Sequence, residues 1–163
     1  RGESWFSERG RNLLASVVVE PNILIGKQFD ISKIASLAII DCLLLLGLKS
    51  KIKWPNDLYC NGKKVSGILT EARIDSDRMH TIILGLGLNI NSTTKSFPDE
   101  IRSIATSLRA ETNQSYDMNA LSIEIIQATV RAYKKCTVSN NNESLSWHLC
   151  RLENKFMANE NKI

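Results

Sequence analysis

The chain has 163 residues, 43% of them hydrophobic and 23% charged, a composition typical of one globular domain with its own core. Its net charge of +4 suits either a plain solvated surface or a surface that attracts phosphates and an acidic partner protein. Four cysteines without C-x-x-C spacing and only two histidines argue against a zinc site and favour reduced thiols.

The first half of the chain predicts a strand followed by a buried helix. Residues 12–20 are rich in β-forming side chains and predict the strand. The helix should run from Asp30 to Leu46, with Asp30 or Ser32 as its cap and Gly47 after its end. Apolar residues on nearly every side of this helix predict burial against a sheet. It is too short and too often interrupted by charge to span a membrane.

The most informative segment begins Lys53-Trp54-Pro55-Asn56-Asp57. Pro55 lacks an N–H and biases Trp54 toward an extended backbone, so the preceding strand should end there. Asn56 and Asp57 then lie in a turn with their side chains free to bond backbone or ligand. We expect a rigid unit that directs these polar side chains toward one place.

Two long strands should follow. Asn61-Gly62 predicts a two-residue hairpin turn into a strand over residues 63–74, and residues 78–89 predict its partner beyond a turn at 75–77. Gly85 and Gly87 share one face of the second strand, which indicates close approach of a ligand or of another backbone. A barrel bend or a crowded sheet crossing is the alternative.

The second half predicts helices. A short helix is expected over residues 101–109 and a longer one over residues 119–136, with Tyr116 to Asn119 as its start. Residues 139–142 indicate a break, and residues 143–163 show no clear period.

Four segments, in order, resemble biotin protein ligases: residues 5–13, residues 53–71, residues 84–91 and residues 105–108. The resemblance covers roughly residues 1–135. It implies an α+β fold, with a mixed, mostly antiparallel β-sheet packed against helices. Residues 1–138 would be the C-terminal portion of the catalytic domain, and residues 139–163 a linker or the start of a small C-terminal domain.

The start of the chain adds an expectation about what precedes it. Arg1-Gly2 matches the end of a Gly- and Arg-rich loop of that family, so the N-terminal part of the catalytic domain would be missing here. The fragment alone would then make biotinyl-AMP poorly. An exposed apolar face on the helix of residues 30–46 would be the structural sign.

The resemblance also implies an activity. These ligases activate biotin with ATP to biotinyl-5'-AMP, release pyrophosphate and transfer biotin to a lysine of a biotin carboxyl carrier protein. ATP with Mg²⁺ and biotin would be the small molecules, with no metal held by protein residues and a cytoplasmic location. A homodimer is left open, and DNA would be a partner only if a winged-helix domain precedes the chain.

The resemblance also implies site residues, each assigned by its position in the family motifs. Forming the acyl-adenylate brings a carboxylate against a phosphate, so a positive charge there stabilises the transition state. Lys64 is the residue expected at that point, and strand alternation directs Lys63 to the other face. The expected catalytic residues are Lys64, Asp57 and Lys53; those for biotin are Lys64, Gly67, Ile68 and Gly85; those for ATP or adenylate are Trp5, Lys53, Asn56, Asp57, Gly87 and Asn89. Trp5 is expected either as a lid that stacks on adenine or as a core anchor.

Two other functions remain as alternatives at this point. One is a lipoate ligase or octanoyltransferase, which shares the fold and the acyl-lysine chemistry. The other is a transcriptional repressor that responds to biotinyl-AMP. Neither a P-loop nor a dinucleotide-binding G-x-G-x-x-G before a helix is present in the sequence.

Overall fold

The computed structural model describes residues 5–20, 23–24, 28–75 and 78–138. These residues form one β-sheet with helices packed against it, which confirms the predicted α+β class. The strands are β1 (Asn12–Val19), β2 (Ile23–Leu24), β3 (Lys51–Lys53), β4 (Asp57–Cys60), β5 (Lys63–Asp75) and β6 (Arg78–Asn89). The helices are α1 (Gln28–Leu45), α2 (Asp99–Arg102), α3 (Leu108–Thr112) and α4 (Met118–Val138), with a 3-10 turn at Thr94–Ser96.

The strands lie in the order β1-β6-β5-β4-β3, and β2 extends the β1 edge by pairing with the start of β6. Every strand pair is antiparallel, and one parallel bridge joins Lys64 to Ala105. The predicted turn at Asn61-Gly62 is confirmed. Both residues have positive φ, 48° and 79°, as the tight turn between β4 and β5 requires.

Helix α1 has the predicted C-terminus but an earlier start. Gly47 has a φ of 78°, and the N–H of Leu48 donates to the Leu43 carbonyl at 2.9 Å, which closes the helix end. At the other end the helix begins at Gln28, so the prediction of Asp30 or Ser32 as cap is wrong. Asp30 lies in the first turn instead, where its carboxylate is 3.3 Å from Lys33.

The core lies between one face of the sheet and α1, with α4 packed on the helix. We call this the core face, and it carries alternate residues of β5 and β6, including Ile68, Leu84, Leu86 and Leu88. The expected exposed apolar face on α1 is wrong for the apolar residues from 31 to 43, which the sheet and α4 cover; only Leu44 and Leu45, at the end of the helix, are 48% and 86% exposed among its described apolar side chains. Large exposed apolar side chains occur on the opposite, open face of the sheet, where Leu14, Val18 and Leu69 are 58%, 61% and 59% exposed.

The second half differs from prediction at one place. A single helix over residues 101–109 is wrong, since residues 103–107 separate α2 from α3. They leave helical geometry because the backbone on either side of Ala105 bonds to Lys64 in β5. Helix α4 begins as predicted, with the Asp117 carboxylate accepting from the N–H groups of Asn119 and Ala120.

No helix within the described ranges is long and apolar enough to cross a membrane. Residues 139–163 lie outside the described residues, so the expected boundary near residue 138 stays a prediction.

Candidate functional site

Five residues from five strands form one row across the open face of the sheet, here called the site row. The register pairs Lys53 with Asp57, Asp57 with Gly67, Gly67 with Gly87, and Gly87 with Leu14. Side chains directly opposite each other on antiparallel strands lie on the same face. The row therefore brings together residues that the sequence placed in separate motifs.

A β-bulge brings Lys64 to the site row. Leu58 pairs with Ser66 and Tyr59 with Lys64, so Val65 has no partner on β4. An extra residue of this kind shifts the alternation of side chains by one position. Val65 and Ser66 are consequently both fully buried, and the Lys64 side chain lies on the open face beside Gly67.

Lys64 and Asp57 form the ionic centre of the site. The Lys64 Nζ is 2.8 Å from the Asp57 Oδ1, and the two side chains are only 30% and 26% exposed. The same Nζ lies 5.4 Å from the centroid of the Trp5 ring. A cation is thus held beside the two glycines of the row and at the edge of the Trp5 ring, where it can attract an anionic ligand.

The backbone of Lys64 is fixed by the segment between α2 and α3. Its N–H donates to the Ile104 carbonyl and its carbonyl accepts from the Thr106 N–H, each at 2.8 Å. The Thr106 hydroxyl in turn donates to Glu111 at 2.5 Å, and Asn61 donates to the other oxygen of that carboxylate at 2.6 Å. These bonds hold the start of β5 in place.

Sequence reasoning missed the roles of Thr106 and Glu111. The available signal was the weak family segment of residues 105–108, whose local pattern indicated only a helix. Its contact with Lys64 spans about forty positions of sequence and depends on backbone groups, so no side-chain pattern reveals it.

Asn89 lies at the end of β6, two residues beyond Gly87, and is 4% exposed. Its Nδ2 donates to the Thr106 carbonyl at 2.9 Å. Its Oδ1 is buried and has no hydrogen-bond partner among the described residues. A buried acceptor without a donor is costly, which makes this oxygen suited to a ligand N–H group.

Asn56 orders the turn before β4, as expected. Its side-chain amide donates to the Ile68 carbonyl, and the Ile68 N–H donates to the Asn56 carbonyl at 2.9 Å. The Trp54-Pro55 peptide bond in this turn is cis. The turn is thereby tied to β5. Asp57, which was expected within this turn, is instead the first residue of β4 and stands next to Gly67 in the site row.

The remaining predicted residues divide between the site and its surroundings. Lys53 stands at the exposed end of the site row, with its Nζ 3.4 Å from the Tyr59 hydroxyl. Gly85 lies on the open face, one row away. The Ile68 side chain is 1% exposed in the core, so its expected contact with biotin is wrong for the side chain, because strand alternation directs it away from Gly67.

Trp5 covers the centre of the site row. Its benzene ring packs against the Cα positions of Gly67 and Gly87, at the edge of the Lys64–Asp57 pair. The segment that carries it is held by a ring contact between Phe6 and the buried Phe97, at 6.5 Å between centroids. The first family segment thus meets the other three at one place.

Burial raises the pKa of two thiols that lie outside the site. Cys60, on the core side of β4, has its pKa raised to about 11 by burial and then by the negative charge of Glu111. Burial, with smaller contributions from Glu124 and Asp41, also raises the pKa of Cys42 in α1. Both thiols are therefore protonated at neutral pH. Within the described residues, no group of three or more His, Cys, Asp or Glu side chains could hold a metal ion.

The sequence matches known proteins along most of its length. The bifunctional ligase/repressor BirA of Bacillus spizizenii is 34% identical over 131 residues, which cover 80% of this chain and 40% of that protein. The biotin–[acetyl-CoA-carboxylase] ligase of Paracoccus denitrificans is 33% identical over 93 residues, covering 55% of this chain and 38% of the relative.

The fold matches as well. The biotin protein ligase from Aquifex aeolicus in complex with biotin and ATP superposes with a TM-score of 0.77 and 26% identity, over 96% of this chain and 62% of that one. The chain thus spans well under two thirds of its curated relatives. Residues 1–89 match the model of the biotin/lipoate A/B protein ligase family. The resemblance found in the sequence is confirmed, and the chain belongs to the biotin/lipoate A/B protein ligase family.

Proposed function

We propose that the protein is a biotin protein ligase that forms biotinyl-5'-AMP from biotin and ATP and transfers biotin to a lysine of a biotin carboxyl carrier protein. The relatives named above support this proposal. The single observation that carries it is the Lys64 ammonium, held 2.8 Å from Asp57 beside Gly67 and Gly87.

In the first step, a carboxylate oxygen of biotin attacks the α-phosphorus of ATP. An O–P bond forms to the acyl group, and the bond to the pyrophosphate leaving group breaks. Two anionic groups have to meet, and the Lys64 ammonium offsets their repulsion and the charge of the transition state. Lys53, at the exposed end of the site row, supplies a second cation for the phosphates.

The nucleotide would lie at the end of β6. The unpartnered Oδ1 of Asn89 accepts a hydrogen bond from the exocyclic amine of adenine in this proposal. Asn56, in the turn before β4, is a further contact to the adenylate. Trp5 offers its indole to the adenine ring. Mg²⁺ enters as the complex with ATP, because it prefers phosphate oxygens and water to a dedicated protein cage.

In the second step, the neutral amine of the acceptor lysine attacks the acyl carbon and forms a C–N bond. The bond between that carbon and the AMP oxygen breaks, AMP leaves, and the nitrogen loses one proton to water. When substrate oxygens replace Asp57 as the partner of the Lys64 ammonium, the Asp57 carboxylate can accept a hydrogen bond from the incoming amine and orient it. Gly67 and Gly85 let biotin, or a side chain next to it, approach the strands closely. The proposal places the reaction in the cytoplasm, where ATP is supplied.

The test is an assay of pyrophosphate release by the full-length protein with ATP and one of three acids: biotin, lipoate or octanoate. We expect release with biotin, and streptavidin-detectable labelling of a purified carrier domain. A carrier domain with its acceptor lysine changed to arginine is the control and should stay unlabelled.

Release with lipoate or octanoate and none with biotin would overturn the proposal in favour of the other branch of the family. Biotinyl-AMP formation without transfer to any carrier would leave the adenylation half in place and overturn the transfer half.

A further inference from the structure

Gly67 and Gly87 pack so tightly against Trp5 that a side chain at either position would require the indole to move by a few tenths of an ångström. A Cβ at Gly87 would lie 3.0 Å from both Cε2 and Cζ2 of the indole. A Cβ at Gly67 would lie 3.0 Å from Cζ3 and 3.2 Å from the Asp57 Oδ1. The benzene ring of Trp5 therefore lies across β5 and β6, and a methyl group on either glycine would crowd it.

Gly85 shows that this contact is specific. It lies on the same strand and the same face as Gly87, one row further along the sheet. A Cβ there would meet only Leu69, at 3.4 Å and 3.7 Å, which is ordinary van der Waals contact. Gly67 and Gly87 thus differ from Gly85 in that they alone of the three pack closely against the indole.

The indole is held in one orientation next to the ionic pair. The Lys64 Nζ is 5.4 Å from its centroid, and the indole Nε1 is buried without a hydrogen-bond partner among the described residues. Ser7 and Asn12, joined by a 3.3 Å hydrogen bond, tie the Trp5 segment to the start of β1. The ring therefore has one face on the sheet and a buried N–H group that donates to none of the described residues.

We propose that Gly67 and Gly87 are positioning residues that act on the substrate through Trp5. They form the flat surface that sets the indole against Lys64. The absence of a side chain at these two positions makes room for the indole, and it affects the substrate only through the position of the indole. This inference rests on the proposed function for its effect on biotin, but the packing itself exists without ligand.

The first experiment needs no ligand. In the full-length protein, Trp54 and Trp147 are replaced by phenylalanine so that Trp5 alone reports from this chain, with any further tryptophan of the full-length protein replaced as well. Gly87→Ala is expected to shift the Trp5 emission and raise its quenching by acrylamide, whereas Gly85→Ala leaves both unchanged. Equal spectra for all three proteins would overturn the proposal.

The second experiment is a double-mutant cycle on biotin binding, measured by calorimetry. We expect Gly87→Ala to weaken binding by about tenfold in the wild-type background, a typical size for residues in contact. The same change should have little effect in a Trp5→Ala background, since the indole is already gone. Trp5→Phe gives a second background with a smaller ring, in which the effect should be intermediate.

An equal loss from Gly87→Ala in all backgrounds would overturn the proposal and show direct contact between the glycine and biotin. A protein that binds no biotin but shows the expected Trp5 spectra would contradict the proposed function and leave the packing role supported. The two failures are therefore distinguishable.

Discussion

The two faces of the sheet are built from alternate residues of the same strands, yet they have opposite compositions. On β6, Leu84, Leu86 and Leu88 face the core and are at most 2% exposed. Gly85 and Gly87, between them, face the open side. Buried side chains of the strands fill the core face, whereas at the centre of the open face the strands carry glycines and the Trp5 indole lies against them. Neighbouring positions in the chain thus serve stability and chemistry separately, which makes the difference testable by paired substitutions.

The largest expected effect concerns the core face. Leu86→Ala should lower the free energy of unfolding by about 2–5 kcal/mol, because it leaves a cavity in the buried hydrophobic core. Leu69→Ala is the matched control on the open face, where the side chain is 59% exposed. It should change stability by less than about 0.5 kcal/mol. Urea denaturation of both variants measures the difference, and equal losses would break the comparison between the faces.

Lys64→Ala tests the open face. Loss of one charge-stabilising group should reduce biotin-dependent pyrophosphate release by roughly 10²–10³, with the fold retained. Lys63→Ala, one residue away, should be the milder change. A rate for Lys64→Ala close to that of wild type would reject the assigned role, and circular dichroism would show whether folding had been affected.

Thr106→Val tests the segment that holds Lys64. The Glu111 carboxylate would lose the hydroxyl that now donates at 2.5 Å. We expect a loss of about 1 kcal/mol in unfolding free energy and a smaller drop in pyrophosphate release than for Lys64→Ala. Thr106→Ser keeps the hydroxyl and should behave like wild type in both measurements. If serine fails as valine does, the methyl group matters as well as the hydrogen bond; a valine variant that behaves like wild type would contradict the role of the hydrogen bond.

The smallest expected effect concerns Cys60, whose pKa is raised to about 11 from 9.0. Between these two pH values the unfolded chain loses a proton that the folded chain retains. The contribution of this thiol to stability is therefore complete below pH 9.0 and lost as the pH rises toward 11. Alkylation of native Cys60 by iodoacetamide, followed by mass spectrometry, should lag behind the urea-unfolded control near pH 9 and rise toward pH 11. Equal rates at pH 9.0 would contradict the burial of the thiol.

Local chemistry made part of this structure predictable. The Asn61-Gly62 turn, the end of α1 at Gly47 and the Asp117 cap of α4 each depend on a few adjacent residues, and each is confirmed. The family segments likewise indicated which residues meet, and the strand register brings them together.

The rest depends on contacts between distant parts of the chain. Strict alternation would have placed Lys64 in the core with Ser66 and Ile68, and the bulge that prevents this is defined only against β4. The interruption between α2 and α3 arises from bonds to Lys64. The position of Trp5 depends on Gly87, over eighty residues later. Such contacts leave no periodic trace in a single sequence.

The unpaired Val65 has a consequence for how the site selects its cation. Lys63 and Lys64 are chemically identical neighbours, and a regular strand containing Val65 would turn Lys63 toward Gly67. The one-residue offset at the bulge gives the place to Lys64 instead. The number of residues between the lysines and Gly67, together with the bulge, therefore decides which of the two lysines faces the site. A change that abolishes the bulge but keeps Val65 should therefore exchange Lys64 for Lys63 at the site without altering either side chain, whereas deletion of Val65 should leave Lys64 in place.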